Sequence, residues 1–158
     1  MTTRTEPSTA DREIMIVRTF DAPRALVFKA FTDPRHIDRW WGPDGFRNTT
    51  LAMDFRPGGA WRYIMHGPDG RDWPNHVVYA VIKEPERLEY AHGSDADSAP
   101  HFHVTVTFVE EAGRTTLTMR SLFPTAAARD HVVREFGAIE GGRQTLARLA
   151  EYLATMQA

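Results

Sequence analysis

FHVTVTFV, Phe102 to Val109, alternates cleanly: Phe102, Val104, Val106 and Phe108 are apolar, and His103, Thr105 and Thr107 between them are polar. A period of two places the first set on one face of a strand and the second on the other, so one face is buried and one is wet. Glu110-Glu111-Ala112-Gly113 turns the chain, and Thr115 to Leu122 (TTLTMRSL) returns it as a second strand. Phe123-Pro124-Thr125 ends the sheet, with Thr125 placed to cap a helix. Beyond it the apolar period lengthens to helical spacing. Val132, Val133 and Phe136 form a short stripe, and Ile139, Leu146, Leu149, Ala150 and Leu153 a longer one. A sheet with one apolar face needs a cover, and this C-terminal helix is the element long enough to supply it.

The same reading extends toward the N-terminus. Ile14 to Phe20 (IMIVRTF) is a strand that ends at Asp21-Ala22-Pro23, where Asp21 or Ala22 caps a helix and Pro23 occupies its first turn. Leu26, Val27, Ala30 and Phe31 recur at helical spacing, and Asp33-Pro34 opens a second short helix that carries Ile37, Trp40 and Trp41 up to Gly42-Pro43. Strands are expected over Thr49–Phe55, Ala60–His66, Val77–Lys83 and Arg87–His92, separated by the turns RPGG (56–59), GPDG (67–70) and EPE (84–86). Gly93 to Pro100 reads as an exposed loop. Successive strands joined by short turns pair antiparallel. The expected fold is therefore α+β: a curved antiparallel sheet of about six or seven strands wrapped on a long C-terminal helix, with two short helices after the first strand. Residues 1–11 are expected as a flexible leader and 12–158 as one helix-grip domain.

Bulk properties narrow the function classes. The chain has 158 residues, no cysteine and a formal charge of -2. Without thiols there is no disulfide, thiol nucleophile or thiolate metal site. The charge balance disfavours nucleic-acid binding. No apolar run approaches the roughly 20 residues of a membrane span, and the polar start Met1–Glu13 lacks the apolar segment of a signal peptide. A cytoplasmic location is the expectation.

Several motifs, in order, carry a resemblance: FDAPR (20–24), Val27-Phe28, FTDP (31–34), WWGP (40–43), the turns RPGG and GPDG, PERL (85–88), TVTF (105–108), LTM (117–119) and GGRQTLARLAEYL (141–153). Together they resemble the bacterial family similar to activators of the 90-kDa heat-shock protein ATPase, within the START-like, or SRPBCC, superfamily. The resemblance spans about Ile14 to Ala154. It implies the helix-grip fold already reached from periodicity, with a cavity between sheet and long helix. It also implies a range of functions, from small-molecule binding through cyclase-like catalysis to chaperone activation.

Candidate cavity residues follow from position. Trp61, Tyr63 and Met65 share one strand face, and Tyr79 is expected to face the same space. Trp40 and Trp41 are placed for a rim, where an indole N–H finds a polar partner. Opposite, Gly141 and Gly142 lie inside the long helix, at a cost of about 1 kcal/mol each against alanine. Close approach of the sheet, room for a ligand, or a helix break would each account for them. Glu140, Gly142, Arg143 and Leu146 are the helix residues expected at the cavity or its edge, and His76 is the candidate acid–base group. His101 and His103 form an H-x-H pair, with His66, His76 or His92 as a third ligand, but strand parity turns both outward, so no metal is expected. No cofactor motif is present, since neither RPGG nor GPDG has the Gly-Lys-Ser/Thr ending of a phosphate loop.

The leading expectation is a non-catalytic binder of a hydrophobic or amphipathic small molecule. An enzyme using His76, Tyr79, Glu140 and Arg143 in the same cavity is the second reading, and it needs at least two of them to converge. A chaperone-interacting module is the third. A homodimer through a sheet edge or the Trp40–Trp41 region is compatible with the sequence.

Overall fold

In a computed structural model, which describes residues 9–157, seven strands form one antiparallel sheet in the order β1-β7-β6-β5-β4-β3-β2. The strands are β1 Glu13–Phe20, β2 Arg47–Met53, β3 Ala60–His66, β4 Asp72–Lys83, β5 Arg87–Gly93, β6 Phe102–Glu111 and β7 Arg114–Leu122. Helices α1 (Arg24–Lys29) and α2 (Pro34–Ile37) follow β1, and α3 (Ala126–Phe136) and α4 (Ala138–Met156) close the chain. From β2 to β7 each strand pairs with the next in sequence, whereas β1 crosses to pair with β7 along Glu13↔Leu122 through Phe20↔Thr115, and β2 has no partner beyond β3. Both β1 and β2 are therefore edges.

Parity along the strands sets the faces. Val104, Val106 and Phe108 of β6 are buried, as are Leu88 and Tyr90 of β5, Val77 and Tyr79 of β4, and Trp61 and Tyr63 of β3. Leu146, Leu149 and Leu153 of α4 are buried against this face. One end of the layer is solid. Trp40, with no exposed surface, meets Phe31 edge-on at 4.9 Å and Trp41 at 5.4 Å, and Phe31 meets Phe108 at 5.5 Å.

Several boundaries differ from the sequence expectations. β4 begins at Asp72 rather than Val77, with Pro74 inside it opposite Ile64 of β3. On the other side β5 pairs only from His76↔Gly93 onward, so Pro74 occupies an edge-like stretch where its missing N–H leaves no ladder bond broken. Pro23 is itself the N-cap of α1, one position earlier in the helix than expected, and no side chain caps it. The caps of α2 and α3 are side chains: Asp33 accepts from Arg35 N at 2.8 Å and Thr125 from Ala128 N at 3.0 Å.

The helix break lies at Gly137, where φ is +58° and α3 ends, and α4 runs through Gly141 and Gly142 without interruption. A Cβ on Gly142 would stand 3.0 Å from Ile16 Cγ1 of β1. Close approach of the sheet therefore accounts for this glycine. The expected leader lies mostly outside the described residues; within them, Ala10–Arg12 form a 3-10 turn, and Arg12 is held by its backbone carbonyl and side chain against Phe123.

Candidate ligand-binding site

Away from the solid end, α4 and the sheet do not meet fully. A hollow of about 190 Å³ is walled by Trp41, Tyr63, Met65, Asn75, Tyr90, His92, Phe102, Val104, Met119 and Ser121, with Gly142 and Thr145 of α4 above them. A second of about 170 Å³ shares Phe102, Met119, Ser121 and Gly142 with it and extends toward Ile14, Phe123 and Val132. A wider depression of about 530 Å³ shares Pro43, Met65 and Asn75 with the first and opens outward between the α2–β2 loop and the start of α4. No Asp, Glu, Lys or Arg lines the two inner compartments. Asp44 and Glu140 stand at the mouth.

The mouth is held in place by α4. Arg148 Nη1 donates to the carbonyls of Gly42 (2.8 Å), Pro43 (2.9 Å) and Trp41 (3.2 Å), and Gln144 Oε1 accepts from the Asp44 N–H at 3.1 Å. Arg148→Met keeps the aliphatic stem but leaves three carbonyls without their cation. The expected loss is about 1–3 kcal/mol of stability, with the loop 41–44 gaining hydrogen-exchange rate ahead of the sheet. Uniform exchange across loop and sheet would show that Arg148 is not a local tie.

A polar cluster is set into the apolar wall. Tyr63 of β3 lies directly across from Asn75 of β4, and His92 of β5 lies across from Val77, two residues further on the same face. This register brings the three together. Trp41 Nε1–H donates to the Tyr63 hydroxyl at 2.8 Å, His92 Nε2 lies 2.9 Å from Asn75 Oδ1 and 3.4 Å from the Tyr63 oxygen, and Asn75 Nδ2 donates to the Trp73 carbonyl at 3.0 Å. Burial lowers the His92 pKa to about 4, with the nearby His101 adding to it, so the imidazole is neutral at pH 7. His92 is half-buried as a residue and lines the hollow. Burial pushes the Tyr63 phenol well above its ordinary value, so it stays protonated.

The expected residues separate into groups. Trp41, Tyr63, Met65 and Gly142 line the inner compartments, and Glu140 lines the mouth. Trp40 is sealed in the solid end, its indole donating to the Ala30 carbonyl at 3.1 Å. Trp61 and Tyr79 border only a void of about 10 Å³, and Leu146 is fully buried without lining the hollows. Arg143 is two-thirds exposed and pairs with Glu140 at 3.7 Å, because it sits on the flank of α4 beyond the buried stripe. His76 lies on the outer face, in a groove with Val78, Gly93 and Asp95; since Val77 and Tyr79 face inward alternately with it, parity sends it out. His76, Tyr79, Glu140 and Arg143 thus border different spaces and do not converge. Among the described residues no group of three or more His, Asp or Glu could hold a metal.

Asn75, His92, Phe102, Met119, Ser121, Thr145 and Arg148 were not among the residues expected at the cavity. The signal for the first two is parity itself: Asn75 precedes Val77 by two, and His92 follows Leu88 and Tyr90 at the same interval. Thr49 Oγ1, His66 and Asp72 also form a chain, at 2.8 Å on each side of the ring, but on an open strand face that none of these hollows reaches.

The model for the Activator of Hsp90 ATPase homolog 1-like proteins matches residues 21–154, nearly the whole described chain. The chain belongs to that family. Solved structures agree in fold with this family member. A Mycobacterium smegmatis protein is 28% identical with a TM-score of 0.84, covering 98% of each chain. An Arthrobacter aurescens protein is 29% identical with a TM-score of 0.84, covering 95% of this chain and 90% of that one. A Nitrosomonas europaea protein has a TM-score of 0.85 at 23% identity, covering 94% and 97%, which speaks to fold alone. No curated protein matches the sequence. No described helix is long and apolar enough to cross a membrane.

Proposed function

We propose that this protein binds an apolar small molecule in the hollow between its sheet and the first half of α4. The observation that supports it most directly is the pair of adjoining inner compartments, walled by aromatic and aliphatic side chains with no charged residue, behind a wider mouth. Concave, mostly apolar space with a few placed polar groups is the usual form of a small-molecule site. The family's name refers to activation of a chaperone ATPase; the geometry supports the ligand reading through the apolar hollow beneath α4.

Thermal unfolding in the presence of an uncharged apolar compound library tests the proposal. A ligand present at 100 times its Kd adds about 2.7 kcal/mol of stability, enough for a clear rise in Tm. Met119 lines both inner compartments, so Met119→Trp places an indole in the space a ligand would use. The expected result is a variant that folds without the roughly 1–3 kcal/mol cost of overpacking a filled core, and that no longer responds to compounds stabilising the wild type. The proposal is overturned if no compound stabilises the wild type, or if the variant responds equally well.

A further inference from the structure

Among the described residues, nothing accepts the hydroxyl hydrogen of Tyr63. Asn75 donates through Nδ2 to the Trp73 carbonyl, which turns its Oδ1 toward His92. An amide oxygen only accepts, so hydrogen-bond complementarity assigns the hydrogen of the neutral imidazole to Nε2. That nitrogen then has no lone pair to offer the Tyr63 hydroxyl 3.4 Å away. Trp41 Nε1–H donates to the same hydroxyl at 2.8 Å. Among the described residues the phenol oxygen is therefore approached by donors alone, and its own O–H has no protein acceptor. Loss of the proton is no remedy, because burial holds the phenol protonated. A buried donor without an acceptor is costly, and such groups in native proteins have a partner that completes them.

The wall around that hydroxyl limits what the partner is. Trp41, Asn75 and His92 line the same compartment as Tyr63, and no charged side chain does. An ionised ligand would be stripped of water there with no counter-charge. We propose that the inner hollow takes an uncharged, mainly apolar molecule through one acceptor oxygen, a carbonyl of the ketone, ester or amide kind, which receives the Tyr63 O–H. This rests on the cavity-binding reading and names the chemistry of its ligand. The N–H groups of Trp41 and His92 draw electron density toward the phenol oxygen and so strengthen its O–H as a donor. Trp41, His92 and Asn75 are positioning residues in this arrangement, and Tyr63 is the contact.

Acetophenone, ethylbenzene and benzoate form a probe set of one size that differs at the oxygen. Their Kd values, measured by NMR titration at neutral pH on wild type and Tyr63→Phe, separate the contributions. The preference for acetophenone over ethylbenzene is expected to fall about 3- to 10-fold in Tyr63→Phe, the equivalent of one neutral hydrogen bond, with ethylbenzene binding unchanged and benzoate the weakest ligand of the wild type. The carbonyl stretch of bound, isotope-labelled acetophenone is expected at lower wavenumber in the wild type than in an apolar solvent, a readout that needs no variant to fold. Equal weakening of both probes in Tyr63→Phe, an apolar-solvent carbonyl frequency in the wild type, or tighter binding of benzoate would each overturn the inference while leaving the cavity reading intact. If none of the three binds the wild type and the wider library is also silent, the cavity reading falls and the inference with it.

Discussion

Trp40→Ala is expected to lose about 3–5 kcal/mol of folding stability, the largest effect of any single substitution considered for this chain. The ring has no exposed surface, is held edge-on by Phe31 and Trp41, and donates its N–H to the Ala30 carbonyl. Truncation removes the apolar burial, opens a void where α1, α2 and the sheet meet, and takes the indole donor from a carbonyl in the core. Against a typical total of about 5–15 kcal/mol, the loss is severe. Chemical denaturation reads it as a lower midpoint at unchanged m-value. Trp40→Phe retains much of the packing and should lose less. A Trp40→Ala midpoint close to that of the wild type would show that this end of the molecule is not solid, and that Trp40 belongs to the hollow after all.

The second large effect is a dependence on pH carried by His92. Its folded-state pKa is lowered to about 4 from 6.5, chiefly because burial penalises the imidazolium. The unfolded chain takes up the proton near pH 6.5 and the folded chain only near pH 4. Between these values the unfolded state binds more protons, so stability falls as pH drops through that window and levels off below it. At 1.36 kcal/mol per pH unit the full difference is about 3 kcal/mol, reduced to the extent that water in the hollow hydrates the ring. His92→Gln keeps an N–H donor for Asn75 and does not titrate. The variant is expected to show a flatter profile between pH 6.5 and 4, with the two curves diverging as pH falls. Asp33, whose carboxyl is held at about 2 by Arg35, loses its contribution at lower pH and in both proteins alike. Parallel profiles for wild type and variant would mean that the His92 ring is hydrated and that the compartment beside it is wet.

Much of this molecule is readable from local pattern. The alternation in Phe102–Val109 and its return through Leu122 place β6 and β7, and the Leu146, Leu149 and Leu153 stripe places the helix that covers them. Met65 and Tyr63 were within reach for the same reason, since a strand of known face presents alternate residues to whatever lies over it, and Trp41 was within reach because an indole N–H suits a rim. Asn75 and His92 obey that rule equally, yet polarity argues against an inward position, and only the hydrogen bonds they make to one another resolve the conflict. His76 shows the reverse error, where titration chemistry suggested a role that parity does not allow.

The sequence alone determined the order of elements, the faces of the strands around Trp61–Met65 and Phe102–Phe108 and the need for a helical cover, because each depends on spacings of two or of about 3.6 residues along the chain. Tertiary structure decided which aromatic residues fill space and which border it. Trp40 and Trp41 are adjacent, yet one is core and the other a cavity wall, because Trp40 packs against Phe31 and bonds the Ala30 carbonyl while Trp41 reaches Tyr63 at the hollow. It also decided that Gly142 makes room for Ile16, and that Arg148, one turn beyond Gln144, rather than Arg143, clasps the loop at the mouth. Those outcomes depend on distances between elements far apart in sequence, which no local period encodes.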